Sequence, residues 1–269
     1  EAARLELNEV PMSPTSHATH IPDTQSERDE RHLAIQQVGV KRVRFPLSLQ
    51  LGGQTQGTVG EWSLDVALPA EKKGTHMSRF VAWLEAGAEQ ALDATGLRER
   101  HLQMLQLLGA VAGRTEVGFT FFIKKRAPVS GIASRLDHQA RWIVETDGQG
   151  RTTLWQEVAV PVKSLCPCSK EISDYGAHNQ RSLVTIRAEL LGDLPFAQQV
   201  RFAEESASSE LWPLLKRADE KWVTERAYEN PRFVEDLVRE VALRLNADAR
   251  IGRYRVEVEI GRASCRERV

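Results

Sequence analysis

The residues best suited to chemistry crowd into one run, Ser164 to Ser182, where Cys166, Pro167 and Cys168 are followed by Lys170, Glu171, Asp174 and His178. A thiolate is a good ligand for zinc and other borderline-soft divalent cations, and a histidine twelve residues on can return to it across a loop. One Cys-x-Cys with a single distant His is a weaker metal signature than two Cys-x-x-Cys pairs. The same residues also read as a small buried cysteine beside a turn proline, with a histidine capping a loop. The run lies between two strand-like segments, and polar loop residues carry function more often than core residues do. A bridge between Cys166 and Cys168 across one proline would be strained, and three cysteines in all exclude a disulfide framework. In a reducing compartment such thiols are metal-binding or catalytic.

A second group lies in the carboxylate-rich stretch Asp219 to Asp236, most of which reads as a solvated helical surface. Glu235 stands apart, because a carboxylate in the second turn of a capped helix can accept two N–H donors from a planar edge such as that of guanine. A third group is Gly74 to Phe80, where a helix start attracts phosphate and His76 and Arg79 add charge; an ordinary serine cap at Ser78 accounts for the same residues. Lys124, Lys125 and Arg126 read either as a solvated strand end or as a triphosphate clamp. No Walker-type or dinucleotide glycine loop and no Gly-x-Ser-x-Gly elbow is present, which argues against kinases, dehydrogenases and serine hydrolases.

The elements that must hold these groups follow from periodicity. Val43, Phe45, Leu47 and Leu49 alternate with polar residues as a strand, and Gly57 to Leu68 continues as a second after the Gly52-Gly53 turn. Ser78 is expected to cap a helix with Phe80, Val81, Leu84, Ala88 and Ala91 on its apolar side, and a second helix is expected from Arg98 to Leu108. Strands resume at Glu116 to Lys124, Gln139 to Thr146 and Thr152 to Val162, the last two joined by Asp147-Gly148, and again at Leu183 to Leu190. Asn230 as cap and Pro231 at the first position open a helix whose buried stripe is Val234, Leu237, Val238, Val241 and Leu245. A strand from Arg253 to Ile260 closes the series. Hairpins and paired helices without crossover connections indicate an α+β protein with antiparallel sheets and helices on one face. Two similar halves are compatible with this order, although no sequence repeat proves them.

With 36 Lys+Arg against 37 Asp+Glu the formal charge is −1, which argues against a nucleic-acid binder, and 269 residues suffice for a large core. No apolar run approaches the roughly 18 residues of a spanning helix, and no signal peptide opens the chain, so a cytoplasmic protein that binds no membrane is expected. Residues 1–37 read as a disordered arm, of which 1–11, ahead of the first methionine Met12, are taken as non-native. The body is assigned to 38–260, and 261–269, with Cys265, to a read-through tail.

Three blocks now carry a resemblance: Gly74 to Phe80, the run Ser164 to Ser173 with Tyr175 to Arg181 after it, and Thr224 to Asp236. Together they are similar to the GTP cyclohydrolase type IB family, over roughly Ile21 to Ile260. The resemblance implies a tunnelling fold (T-fold) of two ββαα modules per chain, assembled as a homotetramer with active sites between subunits. It implies conversion of GTP and water to 7,8-dihydroneopterin triphosphate and formate, the first step of folate biosynthesis. It also implies that Cys166 binds a divalent metal (zinc, manganese or iron) with His178 and Glu220 near it, and that Glu235 anchors the guanine edge. The segment Phe233 to Asp236 is similar to the Phe-His-Glu-Asp of nitrile reductases, which supports the last role. Cys168 is placed beside the metal rather than on it, and His76 and Arg79 with the substrate.

One departure is plain. The family's last strand leads into Glu-Ser-Ile-His-x-His, whose histidine contributes to the active site, and here Glu259-Ile260-Gly261-Arg262 stands instead. The chain is therefore expected to bind metal weakly and turn over GTP slowly. Two alternatives are a nitrile reductase with a nucleophilic cysteine and NADPH, and a non-catalytic nucleotide-binding protein of the same fold.

Overall fold

The computed structural model describes residue 25, residues 27–260 and the backbone of 266–268. The expectations for residues 1–11, for Gly261-Arg262 and for Cys265 lie outside the described residues. In chain order the elements are β1 (Ile35–Leu51), β2 (Gln54–Leu68), α1 (Met77–Ala86), β3 (Ala91–Leu92), α2 (Ala94–Leu108), β4 (Gly113–Arg126), β5 (Ala133–Thr146), β6 (Thr152–Leu165), α3 (Pro167–Ile172), β7 (Asn179–Leu190), α4 (Phe196–Ser206), α5 (Arg217–Glu229), α6 (Val234–Asn246), β8 (Ile251–Ile260) and β9 (Arg266–Arg268). All strands join one sheet in the order β3-β1-β2-β4-β5-β6-β7-β8-β9, antiparallel except for the short β1–β3 pair. The order repeats: a strand pair, helices, then a strand pair that completes four strands, first as β1-β2-β4-β5 and again as β6-β7-β8-β9. The α+β class and the two modules expected from the sequence are both present, and the repeat is one of backbone rather than of residues.

Alternation explains which face is covered. Cross-strand neighbours such as Trp62, Val117 and Trp142, or Val158, Ile186 and Val256, fall on the same face and are almost fully buried beneath the helices. The opposite face carries Arg44, Glu61, Arg141, Glu157 and Thr185. Between the modules the ladder runs only from Gln139↔Ala159 to Thr146↔Thr152. Beyond it β5 pairs with β4 alone and β6 with β7 alone, and the chain after α4 enters the opening, where Ser209 bridges to Lys163.

Several boundaries differ from expectation. Strand β1 starts at Ile35, and Asp29 N–H donates to Glu71 O at 3.1 Å, so the described end of the expected arm is tied to the body. The α1 cap is His76, not Ser78, and the helix stops at Ala86; its buried residues are Phe80, Trp83 and Leu84, while Val81 is exposed and Ala91 belongs to β3. Trp83 replaces the expected alanines because its Nε1–H finds Arg100 O at 3.0 Å and its ring lies 4.1 Å from the Arg100 guanidinium. Asn230 ends α5 instead of opening α6. A residue before proline disfavours the helical region, so the chain stays extended to the cap at Phe233, and Glu235 falls in the first turn rather than the second.

One buried group gives the fold a pH signature. His101 on α2 is fully enclosed, with Nδ1 at 2.8 Å from Thr115 Oγ1 and Nε2 at 2.9 Å from Thr146 Oγ1. Burial pushes its pKa down to about 4 from an ordinary 6.5. The neutral ring is the folded form, so its contribution is complete above pH 6.5 and is lost as pH falls from there towards 4, on the order of 3 kcal/mol in all. Urea midpoints at pH 7 and pH 5 are expected to differ, and less so in His101→Gln; an unaltered difference would exclude this source.

Candidate active site

Strand β6 ends at Leu165, and Cys166 is the extended cap of the short helix α3, with Pro167 in its first turn. The following loop returns, as the twelve-residue spacing requires. Cys166 N–H donates to His178 O at 3.1 Å, His178 N–H donates to Ser169 Oγ at 2.7 Å, and Ser169 Oγ–H donates to Cys166 O at 3.1 Å. Beneath it Ser164 and Ser182 hydroxyls meet at 2.7 Å. Cys166 is half-buried and Cys168 exposed. His178 is exposed as well.

The α5–α6 junction docks on this same sheet end. Arg232 N–H donates to Leu165 O at 3.0 Å, Leu165 N–H donates to Ser208 Oγ at 3.1 Å, and the Asn230 amide donates to Ala207 O at 3.0 Å. Lys170 Nζ reaches Tyr228 O at 2.6 Å and sits 4.2 Å from that ring. Glu235, exposed in the first turn of α6, follows Arg232 by three residues and so lies within about 10 Å of it along the chain.

Glu220 is placed differently. It is exposed in the first turn of α5, and eight residues of helix separate it from Tyr228 by about 12 Å. Among the described residues no three His, Cys, Asp or Glu side chains converge as a metal cluster. Among the described residues main-chain bonding thus joins Cys166 to His178, and no third such side chain gathers beside them. The neighbour of Glu220, Asp219, is fully buried and accepts four hydrogen bonds: from Val129 N–H (2.9 Å), Ser130 N–H (2.8 Å), Ser130 Oγ–H (2.6 Å) and Lys216 N–H (2.8 Å). Burial alone would raise its pKa, but the Ser130 hydroxyl and the three amides hold the carboxyl well below the usual range. Sequence reading took Asp219 for part of a solvated surface. Only its place three residues after the cap Lys216 signals otherwise, since its hairpin partners lie 89 and 90 residues away.

His76 and Arg79 lie at the other end of the sheet. Strand β2 ends beside Gly113, which pairs with Thr146 near the start of β6, and thirteen residues of β6 span about 40 Å to Leu165. Around His76 a cavity of about 200 Å³ is lined by Lys72, Gly74, Arg79 and Gly109. Its cations serve α2: Arg79 Nη1 donates to Leu107 O at 3.2 Å and Lys72 Nζ to Gly109 O at 2.9 Å, satisfying carbonyls at a helix end. Of the Lys124–Arg126 cluster, Lys125 is no phosphate clamp; it is buried between Glu204 (2.6 Å) and Glu210 (2.7 Å), with Trp212 4.8 Å away.

Among the described residues no helix is long and apolar enough to cross a membrane. Across 84% of this chain and 80% of the other, the fold is similar to that of a hyper-thermostable AgUricase mutant, with TM-score 0.50 and 10% identity. At that identity the likeness shows the fold alone, the paired-module tunnelling fold. The chain is 65% identical to the GTP cyclohydrolase FolE2 of Methylibium petroleiphilum, covering 89% of this chain and 91% of that protein. It is 57% identical to that of Paraburkholderia xenovorans, covering 92% of each. A family model described as Type I GTP cyclohydrolase folE2 matches residues 21–261, which takes in the Cys166 loop, the α5–α6 junction and the start of α1. On that span and those identities, the chain belongs to the Type I GTP cyclohydrolase FolE2 family.

Proposed function

We propose that this GTP cyclohydrolase opens the imidazole ring of GTP at the sheet end that carries Cys166, His178 and Glu235, and that it does so as a type IB enzyme dependent on a divalent metal. The products are 7,8-dihydroneopterin triphosphate and formate, and the step is the first of folate biosynthesis. The carrying observation is the closed loop that sets residue 178 against Cys166 while the α5–α6 junction brings the start of α6 to the same place.

The donor chemistry fits a borderline divalent cation such as zinc, manganese or iron, with Cys166 and His178 supplied by one chain and Glu220 as third donor. When bound, such an ion supplies Lewis-acid activation of the water that attacks C8. The chain's own groups do the rest. The Glu235 carboxylate accepts from guanine N1–H and the 2-amino group, fixing the base against the sheet end where Cys166 and His178 would hold the cation. Cys168, exposed beside the loop, acts through Cys166. His76 and Arg79 stand some 40 Å away by the β6 span, so a site that also uses them, or Glu220, is completed by another copy, which supports a homo-oligomer such as the homotetramer that the resemblance implies.

The test is formate release and dihydroneopterin fluorescence from GTP with metal-stripped protein, before and after adding Mn²⁺, Zn²⁺ or Fe²⁺. Turnover, even if slow, is expected only with metal; full turnover in excess chelator would overturn the reading. The nitrile reductase and non-catalytic alternatives are not favoured by the family assignment.

A further inference from the structure

Arg232 is a charged group at the α5–α6 junction that the reaction as described leaves unused. Its main chain is pinned at 3.0 Å to Leu165 O, one residue before Cys166. Asn230 is anchored by its side chain on Ala207 O (3.0 Å) and Ser208 O (3.4 Å), so the residue has little freedom to shift. Its Nε–H is withdrawn from solvent and has no hydrogen-bond partner among the described residues. Arg114 and Arg187 also carry a buried Nε without a partner, but Arg114 is ion-paired to Glu116 and Arg187 lies 4.9 Å from the Trp155 ring, whereas among the described residues Arg232 has neither an ion pair nor a ring contact. A guanidinium is always charged and offers its donors in one plane, and a buried donor without an acceptor is costly until an acceptor arrives.

We propose that Arg232 donates to O6 of the guanine base and so selects guanine over adenine. This rests on the reading that Glu235 holds the guanine edge. Glu235 accepts from the 2-amino group and N1–H, and O6 is the next atom along that edge. Arg232 stands three residues before Glu235, within about 10 Å of chain, a span that a long arginine side chain has the reach to shorten to hydrogen-bond distance of the bound base. Adenine places an amino donor at position 6, so donor would face donor. A site that must hydrogen-bond a substrate group rejects analogues lacking it far more strongly than an apolar pocket does.

The experiment is equilibrium binding of GTP, 6-thio-GTP and inosine triphosphate to the full chain and to Arg232→Ala, Arg232→Lys and Glu235→Gln. In 6-thio-GTP the acceptor at position 6 is a weak one, while inosine triphosphate keeps O6 and lacks the 2-amino group. Arg232→Ala is expected to weaken GTP and inosine triphosphate about tenfold or more but 6-thio-GTP less than about threefold. Arg232→Lys should recover part of the loss, and the preference for GTP over 6-thio-GTP should shrink in both variants. Equal losses for GTP and 6-thio-GTP, as a phosphate grip or a purely structural role would give, overturn the proposal, as does no loss. The Glu235 reading is judged separately. It fails if Glu235→Gln weakens GTP no more than inosine triphosphate, whatever the Arg232 variants do.

Discussion

Cys166→Ala is expected to abolish formate release from GTP, by about a thousandfold or more, with the thermal midpoint within about 2 °C of the parent. The fold does not depend on this side chain. Cys166 caps α3 without a side-chain hydrogen bond, and its main-chain bonds to His178 O, Lys170 N–H and Ser169 Oγ survive in alanine. The Cys166 thiol, in contrast, is the half-buried soft donor of the loop, where Cys168 is exposed. Cys168→Ser, at an exposed position, should cost less than about threefold, because the proposed donor set does not include it. Metal content measured alongside turnover decides the matter. A Cys166→Ala protein that keeps both would show that the loop is structural, as its alternative reading by sequence allowed.

Asp219→Ala, which removes a fully buried carboxylate, should give the largest stability loss of any single carboxylate substitution on α5, lowering the thermal midpoint by about 5–10 °C. Four donors lose their acceptor at once, two of them amides at the tip of the β4–β5 hairpin. Asp219→Asn keeps an acceptor oxygen and should lie between. Because the carboxyl is held well below its ordinary value, its contribution is complete above the ordinary carboxylate range and is lost as pH falls through and below it. The parent should therefore lose stability in acid that Asp219→Asn does not lose. Thermal melts at pH 7 and pH 3 test this, and parallel curves would count against it. The variant should also weaken metal binding, because α5 and with it Glu220 would no longer be fixed against the hairpin.

What could be read beforehand divides along physical lines. Strands were legible because alternation is local: Val184, Ile186 and Ala188 declare their buried face without reference to any partner. The Cys166 loop was legible because its closing contacts are local too, within the span from Cys166 to His178. Helix starts were not, since the α6 cap depends on Leu165 capturing Arg232 from a distant strand, which leaves Asn230 to finish α5. Lys125 looked like a phosphate ligand because Glu204 and Glu210, its partners, lie some eighty residues away. The separation of His76 and Arg79 from Cys166 along β6 is likewise a matter of sheet order, which spacing does not encode.

The short ladder between β5 and β6 makes the molecule resemble a clothes-peg. From Gln139 to Thr146 the two modules share continuous main-chain bonding, a fixed fulcrum. At the end that carries Cys166 the two modules meet through side chains: Asp219 on the hairpin tip, Lys125 against Glu204 and Glu210, Trp212 Nε1–H on Arg126 O at 2.9 Å, and Phe196 packed on Phe119 and Phe121. Opening that end breaks no sheet hydrogen bonds. Movement at that end is therefore resisted by side-chain packing and hydrogen bonds, while the fulcrum is held by the sheet itself.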